Sequence, residues 1–175
     1  SGTLLAVLGD QIVTYRLSET GELTFAGTIA TPAQTELRFL DSRPLASGGT
    51  ELLFASAAGI WQVVMDDQGG FAQPIALVAE TGTPPVAGAF TGTGPEAQFT
   101  AVGHDNVVTH WVDDTQGSLV GAQSNPDLWI STPSALVTAT VAGHPFVIIA
   151  AAGSNSLTVV TVNTDATLVQ RDHVL

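Results

Sequence analysis

Phe146-Val147-Ile148-Ile149-Ala150-Ala151-Ala152 runs straight into Gly153-Ser154-Asn155-Ser156, then Leu157-Thr158-Val159-Val160-Thr161-Val162, Asn163-Thr164-Asp165-Ala166 and a third segment, 167–174. The unbroken apolar run reads as a strand buried on both faces. The Gly-Ser-Asn-Ser cluster reads as a turn, because small and Asx residues supply the tight backbone geometry. The Thr/Val-rich segment suits a half-buried pleated surface. The second Asn/Asp cluster turns the chain again and sends out the third strand.

The same phrase occurs three more times. It opens with Leu4-Leu5-Ala6-Val7-Leu8 and runs to Ile29, with Leu52-Leu53-Phe54-Ala55 and runs to Val78, and with Phe99-Thr100-Ala101-Val102 and runs to Gln123. The apolar residue that reopens the chain after the second turn falls at Leu23, Phe71, Leu119 and Leu168, spaced 48, 48 and 49 residues apart. Gly21, Gly69 and Gly117 share one register of that turn, where Ala166 stands in the last copy, which predicts a hairpin position with φ > 0. Between copies lies one further strand, over 36–40, 86–91 and 135–141. No window carries a helical apolar stripe.

An all-strand repeat of this length is the signature of propeller blades, each of which must stack on neighbours to cover its faces. The expected fold is therefore an all-β propeller of about four four-stranded antiparallel blades, over 3–30, 36–78, 86–123 and 135–175. The first blade is one strand short, because no strand precedes Leu4. That shortfall, with two unstacked blade faces, points to a larger propeller completed by sequence outside this chain, or to a homodimer.

Composition limits the function classes. Sixteen Asp and Glu oppose Arg16, Arg38, Arg43 and Arg171, lysine is absent, and the net charge is −12. Such a chain lacks the cations that bind phosphate, so nucleic acid is not an expected partner. No apolar run reaches the length of a membrane span. Cysteine is absent, and the first residues lack the basic and apolar regions of a cleaved signal peptide.

Candidate chemistry is sparse. Asp66-Asp67 and Asp113-Asp114 occupy equivalent turns, where paired carboxylates either ligate calcium or cap their own backbone, and the turn reading is preferred. His104 and His144 fall in or beside turns. His110 sits mid-strand, in a register shared with Thr14, Gln62 and Val159, and reads as a half-buried packing position. None of the four histidines, His173 included, has a zinc-ligand spacing. Ser154 lies in a loop, outside any nucleophile elbow. Trp61, Trp111 and Trp129 offer either a sugar platform or core packing, and the shared strand of Trp61 and Trp111 favours packing. No catalytic, cofactor-binding or metal-ligating residue is assigned, and no cofactor is expected.

The phrase 152–165, Ala-Gly-Ser-Asn-Ser-Leu-Thr-Val-Val-Thr-Val-Asn-Thr-Asp, and Arg171-Asp172-His173-Val174-Leu175 resemble the propeller region of bacterial hemolysin-type (repeat-in-toxin) calcium-binding proteins. The segment Gly9-Asp10-Gln11-Ile12-Val13-Thr14-Tyr15-Arg16-Leu17 and Gly21-Glu22-Leu23 fit the same phrase more loosely. The resemblance implies a non-enzymatic scaffold or binding module of an exported, extracellular protein, secreted without a cleaved signal peptide. The calcium-binding nonapeptides of that family are absent here, so calcium ligation transfers to no residue. The blade motifs are similar also to lactonase-type propellers related to 6-phosphogluconolactonase, which implies a hydrolase fragment as the alternative. A sugar-binding propeller lectin is a further alternative.

Overall fold

The computed structural model describes residues 2–32, 36–72, 74–92, 98–113, 119–125, 127–163, 165 and 167–175, with backbone alone for 113 and 119–124. Among them fifteen strands form four antiparallel sheets. The first sheet is β1 (Gly2–Leu8), β2 (Gln11–Leu17) and β3 (Leu23–Ala30). The second is β4 (Arg38–Pro44), β5 (Thr50–Ser56), β6 (Gly59–Met65) and β7 (Ala76–Glu80). The third is β8 (Pro85–Thr91), β9 (Gln98–Gly103), β10 (Val108–Asp113) and β11 (Leu119–Asn125). The fourth is β12 (Pro133–Val141), β13 (His144–Ala151), β14 (Ser156–Val162) and β15 (Leu168–Val174). Each sheet is a meander whose spatial order follows chain order.

The sheets stack through three apolar cores, one per interface. Ile12 of the first sheet meets Leu52, Phe54, Val63 and Met65 of the second. Leu53 and Ile60, on the second sheet's other face, meet Phe90, Phe99, Ala101 and Trp111. Val102 and Val108 then meet Val147, Ile149, Val160 and Val162. Alternation along the strands of the second and third sheets thus feeds two cores at once, which is why β5 is buried almost end to end. Strand β4 lies against β8 and β8 against β12 while the outer strands diverge, giving a propeller-like stack that does not close into a ring among the described residues.

Polar side chains tie the inner strands together. The Asp41 carboxylate accepts the Phe90 N–H at 2.8 Å, and the Thr138 hydroxyl donates to the Phe90 carbonyl at 2.8 Å. Arg43 pairs with Glu51 across β4–β5, both side chains being buried. The Gln62 amide donates to the same carboxylate, and the Arg43 guanidinium lies 4.8 Å from the Phe90 ring centroid.

Four expectations need correction. The strand expected at 36–40 runs instead over Arg38–Pro44, because Asp41 and Arg43 are accommodated by the bonds just described and a bulge between Phe39 and Asp41. Phe71 does not open a strand. It makes an isolated bridge to Met65, and β7 starts at Ala76, beyond Pro74, which has no N–H to give a ladder. The 146–152 run is buried on one face only, since among the described residues no sheet stacks on the far side of the fourth sheet. His110 is fully rather than half buried. Gly21 and Gly69 do have positive φ, +83° and +82°, while Gly117 and Ala166 lie outside the described residues.

Candidate functional site

The short turns β1–β2, β5–β6, β9–β10 and β13–β14 lie at the same end of the stack as the crossovers into β4, β8 and β12. Bonds between these segments hold that end together. Thr31 N–H donates to the Asp10 carbonyl (2.7 Å), Thr132 N–H to the Asn106 carboxamide oxygen (3.0 Å), and the Arg38 guanidinium to the Pro85 carbonyl. Asn106 holds φ +66°, a left-handed position that a short polar side chain tolerates.

Between the second and third sheets this end opens into a cleft of about 580 Å³. Its floor is Leu37, Ala55 and Ser56, its walls are Ala57, Ala58 and Pro85, and Glu36 and Arg38 stand at its lip. The Ser56 hydroxyl oxygen accepts the Ala58 N–H at 3.0 Å and the Trp61 indole N–H at 2.8 Å, so it is held as a fixed acceptor. Small apolar walls with one cation and one anion at the mouth suit recognition of a small, weakly charged ligand. The same end carries Trp129 on the crossover into β12. It is 71% exposed, with its ring 5.9 Å from that of His173 in an edge-on arrangement. The opposite end has a wider, more polar cleft of about 1100 Å³ beside His144, Asn163, Asp165 and Arg171. There the Thr167 hydroxyl (2.6 Å) and N–H (3.1 Å) hold the Asp165 carboxyl below its usual pKa.

The residues singled out in the sequence are dispersed. Asp66 accepts the Gln68 and Gly70 N–H groups at 2.8 Å, and Asp67 accepts the Gly49 N–H at 2.8 Å, clamping the neighbouring loop. Asp113 ends β10, and Asp114 lies outside the described residues. Among the described residues no three His, Asp or Glu side chains converge as a metal site would require. Trp61 packs against the core of the first interface and Trp111 belongs to the second. His104 is in the β9–β10 turn, His144 begins β13, and Ser154 bonds Ser156 within its turn at 2.7 Å.

His110 is the exception in chemistry. Its ring lies between Thr100 Oγ1 (2.7 Å, at Nδ1) and Gln98 Oε1 (2.9 Å, at Nε2). Because a carboxamide oxygen only accepts, Nε2 carries the proton and the Thr100 hydroxyl donates to Nδ1. Burial lowers its pKa from 6.5 to about 4, so the imidazole is neutral at ordinary pH. The sequence reading missed Arg43, Glu51 and Asp41. Their only signal was charge inside strand-like segments, which pattern reading takes as a strand end.

No family model and no curated protein matches the chain. Among solved structures it is similar to a protein from Lactobacillus plantarum, at 13% identity and TM-score 0.62 over 94% of this chain and 51% of that one. It is similar to a protein of unknown function from Bacteroides caccae, at 15% identity and TM-score 0.55 over 98% and 57%. A provisionally assigned 6-phosphogluconolactonase from Bacteroides fragilis aligns at 12% identity and TM-score 0.45, over 97% and 69%. The chain thus spans about half the length of the first two. Among the described residues no helix is long and apolar enough to cross a membrane. At these identities the likeness is one of fold, and the fold is an all-β, propeller-like stack of four antiparallel sheets.

Proposed function

We propose that this chain is a non-enzymatic propeller module of an exported bacterial protein of the hemolysin-type group, binding its ligand at the end that carries the Arg38 cleft. One observation carries the reading. The charged or titratable side chains buried among the described residues, Arg43, Glu51 and His110, are engaged by strand partners rather than turned toward a cleft. Their cost of burial is offset by holding blades in place, which is what a scaffold asks of them. Acidic composition without cysteine is compatible with export. The lactonase reading is tested directly by offering a sugar-derived δ-lactone to the purified chain and following acid release. Turnover that disappears in Arg38→Ala would overturn the module reading. Finding the native protein confined to the cell pellet would overturn the export.

The module's partner is a second copy joined head to tail, each blade stacking as blades already do within the chain. Leu4, Leu8, Leu23 and Phe25 are exposed on the free face of the first sheet, and Val137, Leu157 and Val174 on the free face of the fourth. Each face is the counterpart of one already covered at the internal interfaces, so a heterologous contact is available in both directions.

A further inference from the structure

The free edge of β1 has the build of an interior strand. Among the described residues, the second and third strands of the complete sheets, β5–β6, β9–β10 and β13–β14, pair without any register shift. Every pair that includes an edge strand of those sheets has one, between Phe39 and Asp41, Pro85 and Ala87, Pro133 and Ala135, Ile60 and Trp61, His110 and Val112, and Val159 and Val160. The β1–β2 pair is unshifted over all seven residues, and β2–β3 is shifted between Thr14 and Tyr15. By this measure β1 is a second strand, the counterpart of β5, β9 and β13.

The protections that edge strands carry are missing as well. Gly2-Thr3-Leu4-Leu5-Ala6-Val7-Leu8 has no charge, proline or bulge, which are the usual defences of an open edge. Where β4 flanks β5, every residue from Glu51 to Ser56 is buried, whereas no residue of β1 is. Beside the free edge is a groove of about 540 Å³, lined by Leu5 and Val7 of β1, Phe39 and Ser42 of β4, and Leu52 and Met65 behind them. In the neighbouring sheets that position is filled by β4, β8 and β12.

We propose that this edge and groove are a strand-addition site. Its occupant is an extended peptide of about seven residues, antiparallel to β1, with uncharged small or β-branched side chains at alternate positions. The free N–H and C=O groups of β1 bind its backbone, and the Leu5/Val7/Phe39/Leu52 groove takes every second side chain. A charged residue on that side would be desolvated without a partner, so the site selects against it. The inference rests on the fold and is independent of whether the module is an enzyme.

The test uses a synthetic peptide with the sequence of β12, Pro-Ser-Ala-Leu-Val-Thr-Ala-Thr-Val, added to the 175-residue chain. Amide hydrogen exchange is read strand by strand. Saturating peptide is expected to slow exchange in β1 at least tenfold and leave β15 unchanged. A peptide with proline at its fifth position is expected to give no protection, since it removes a donor and clashes in a paired strand. Val7→Asp is expected to abolish protection, with far-UV circular dichroism confirming the sheet. Should Val7→Asp unfold, Leu5→Gln serves in its place. As a second measurement, the same nine residues are joined ahead of Gly2 through Ala-Gly, copying the Ala142-Gly143 link between β12 and β13. The fusion is expected to melt several degrees above one bearing the proline version. No protection in trans together with no gain in the fusion would overturn the site. So would equal protection by the proline peptide, or protection in the peptide-free chain of the β1 amides that face away from β2, which would make a second copy the occupant.

Discussion

Acidifying the protein is expected to weaken it through one buried imidazole, His110. The folded state holds it neutral between Thr100 and Gln98, with its pKa at about 4 against 6.5 in the open chain. Between those values the unfolded state binds more protons, so stability rises with pH and is lost as pH falls from about 6.5 toward 4. At about 1.4 kcal/mol per pH unit the whole difference comes to about 3 kcal/mol, most of it spent by pH 4.5. His110→Gln removes the titration while keeping a group that accepts and donates. Urea unfolding of both proteins at half-unit steps from pH 7.5 to 4.5 gives the comparison, because the carboxylates are the same in both and cancel. The wild type is expected to lose about 2–3 kcal/mol more than the variant over that range. Parallel stability curves, or an His110 ring resonance in NMR that titrates near 6.5, would refute the reasoning.

Other expectations follow from the same contacts. Glu51→Ala leaves the Arg43 cation buried beside Phe90 and is expected to cost about 3–5 kcal/mol, while Arg43→Met with Glu51→Leu together costs far less; equal losses in thermal melts would contradict this. Gly69→Val is expected to destabilise by about 1–3 kcal/mol and by more than Gly21→Val, since both hold positive φ but a Cβ on Gly69 would press on Ala26 at 3.1 Å while one on Gly21 meets nothing. Asp41→Ala is expected to cost about 1–3 kcal/mol by stripping the Phe90 N–H of its acceptor, read as a lower urea midpoint. Sedimentation at micromolar concentration is expected to find a species of twice the 17.9 kDa chain mass, and a monomer stable to concentration would count against the head-to-tail copy.

The strand phrase and its 48-residue period were legible from the chain, because alternation, turn residues and β-branched content are local properties. The positive φ at Gly21 and Gly69 followed from the same locality. Tertiary structure decided which faces are covered. Thr14, Gln62, His110 and Val159 share one register, yet Thr14 and His110 are fully buried while Val159, with no sheet beyond it among the described residues, is not. No single-strand pattern carries that distinction, since it depends on whether a neighbour exists. The inner strand β4 was misplaced because Asp41 and Arg43 look like strand ends until Phe90 and Glu51, brought in from other strands, satisfy them. The cleft at Arg38 was invisible for the same reason. Glu36 precedes β4, Ser56 ends β5 and Pro85 opens β8, and they become one surface only when two sheets stack. A blade is thus written in neighbouring residues, whereas its burial, buried charges and mouth belong to the contact between blades.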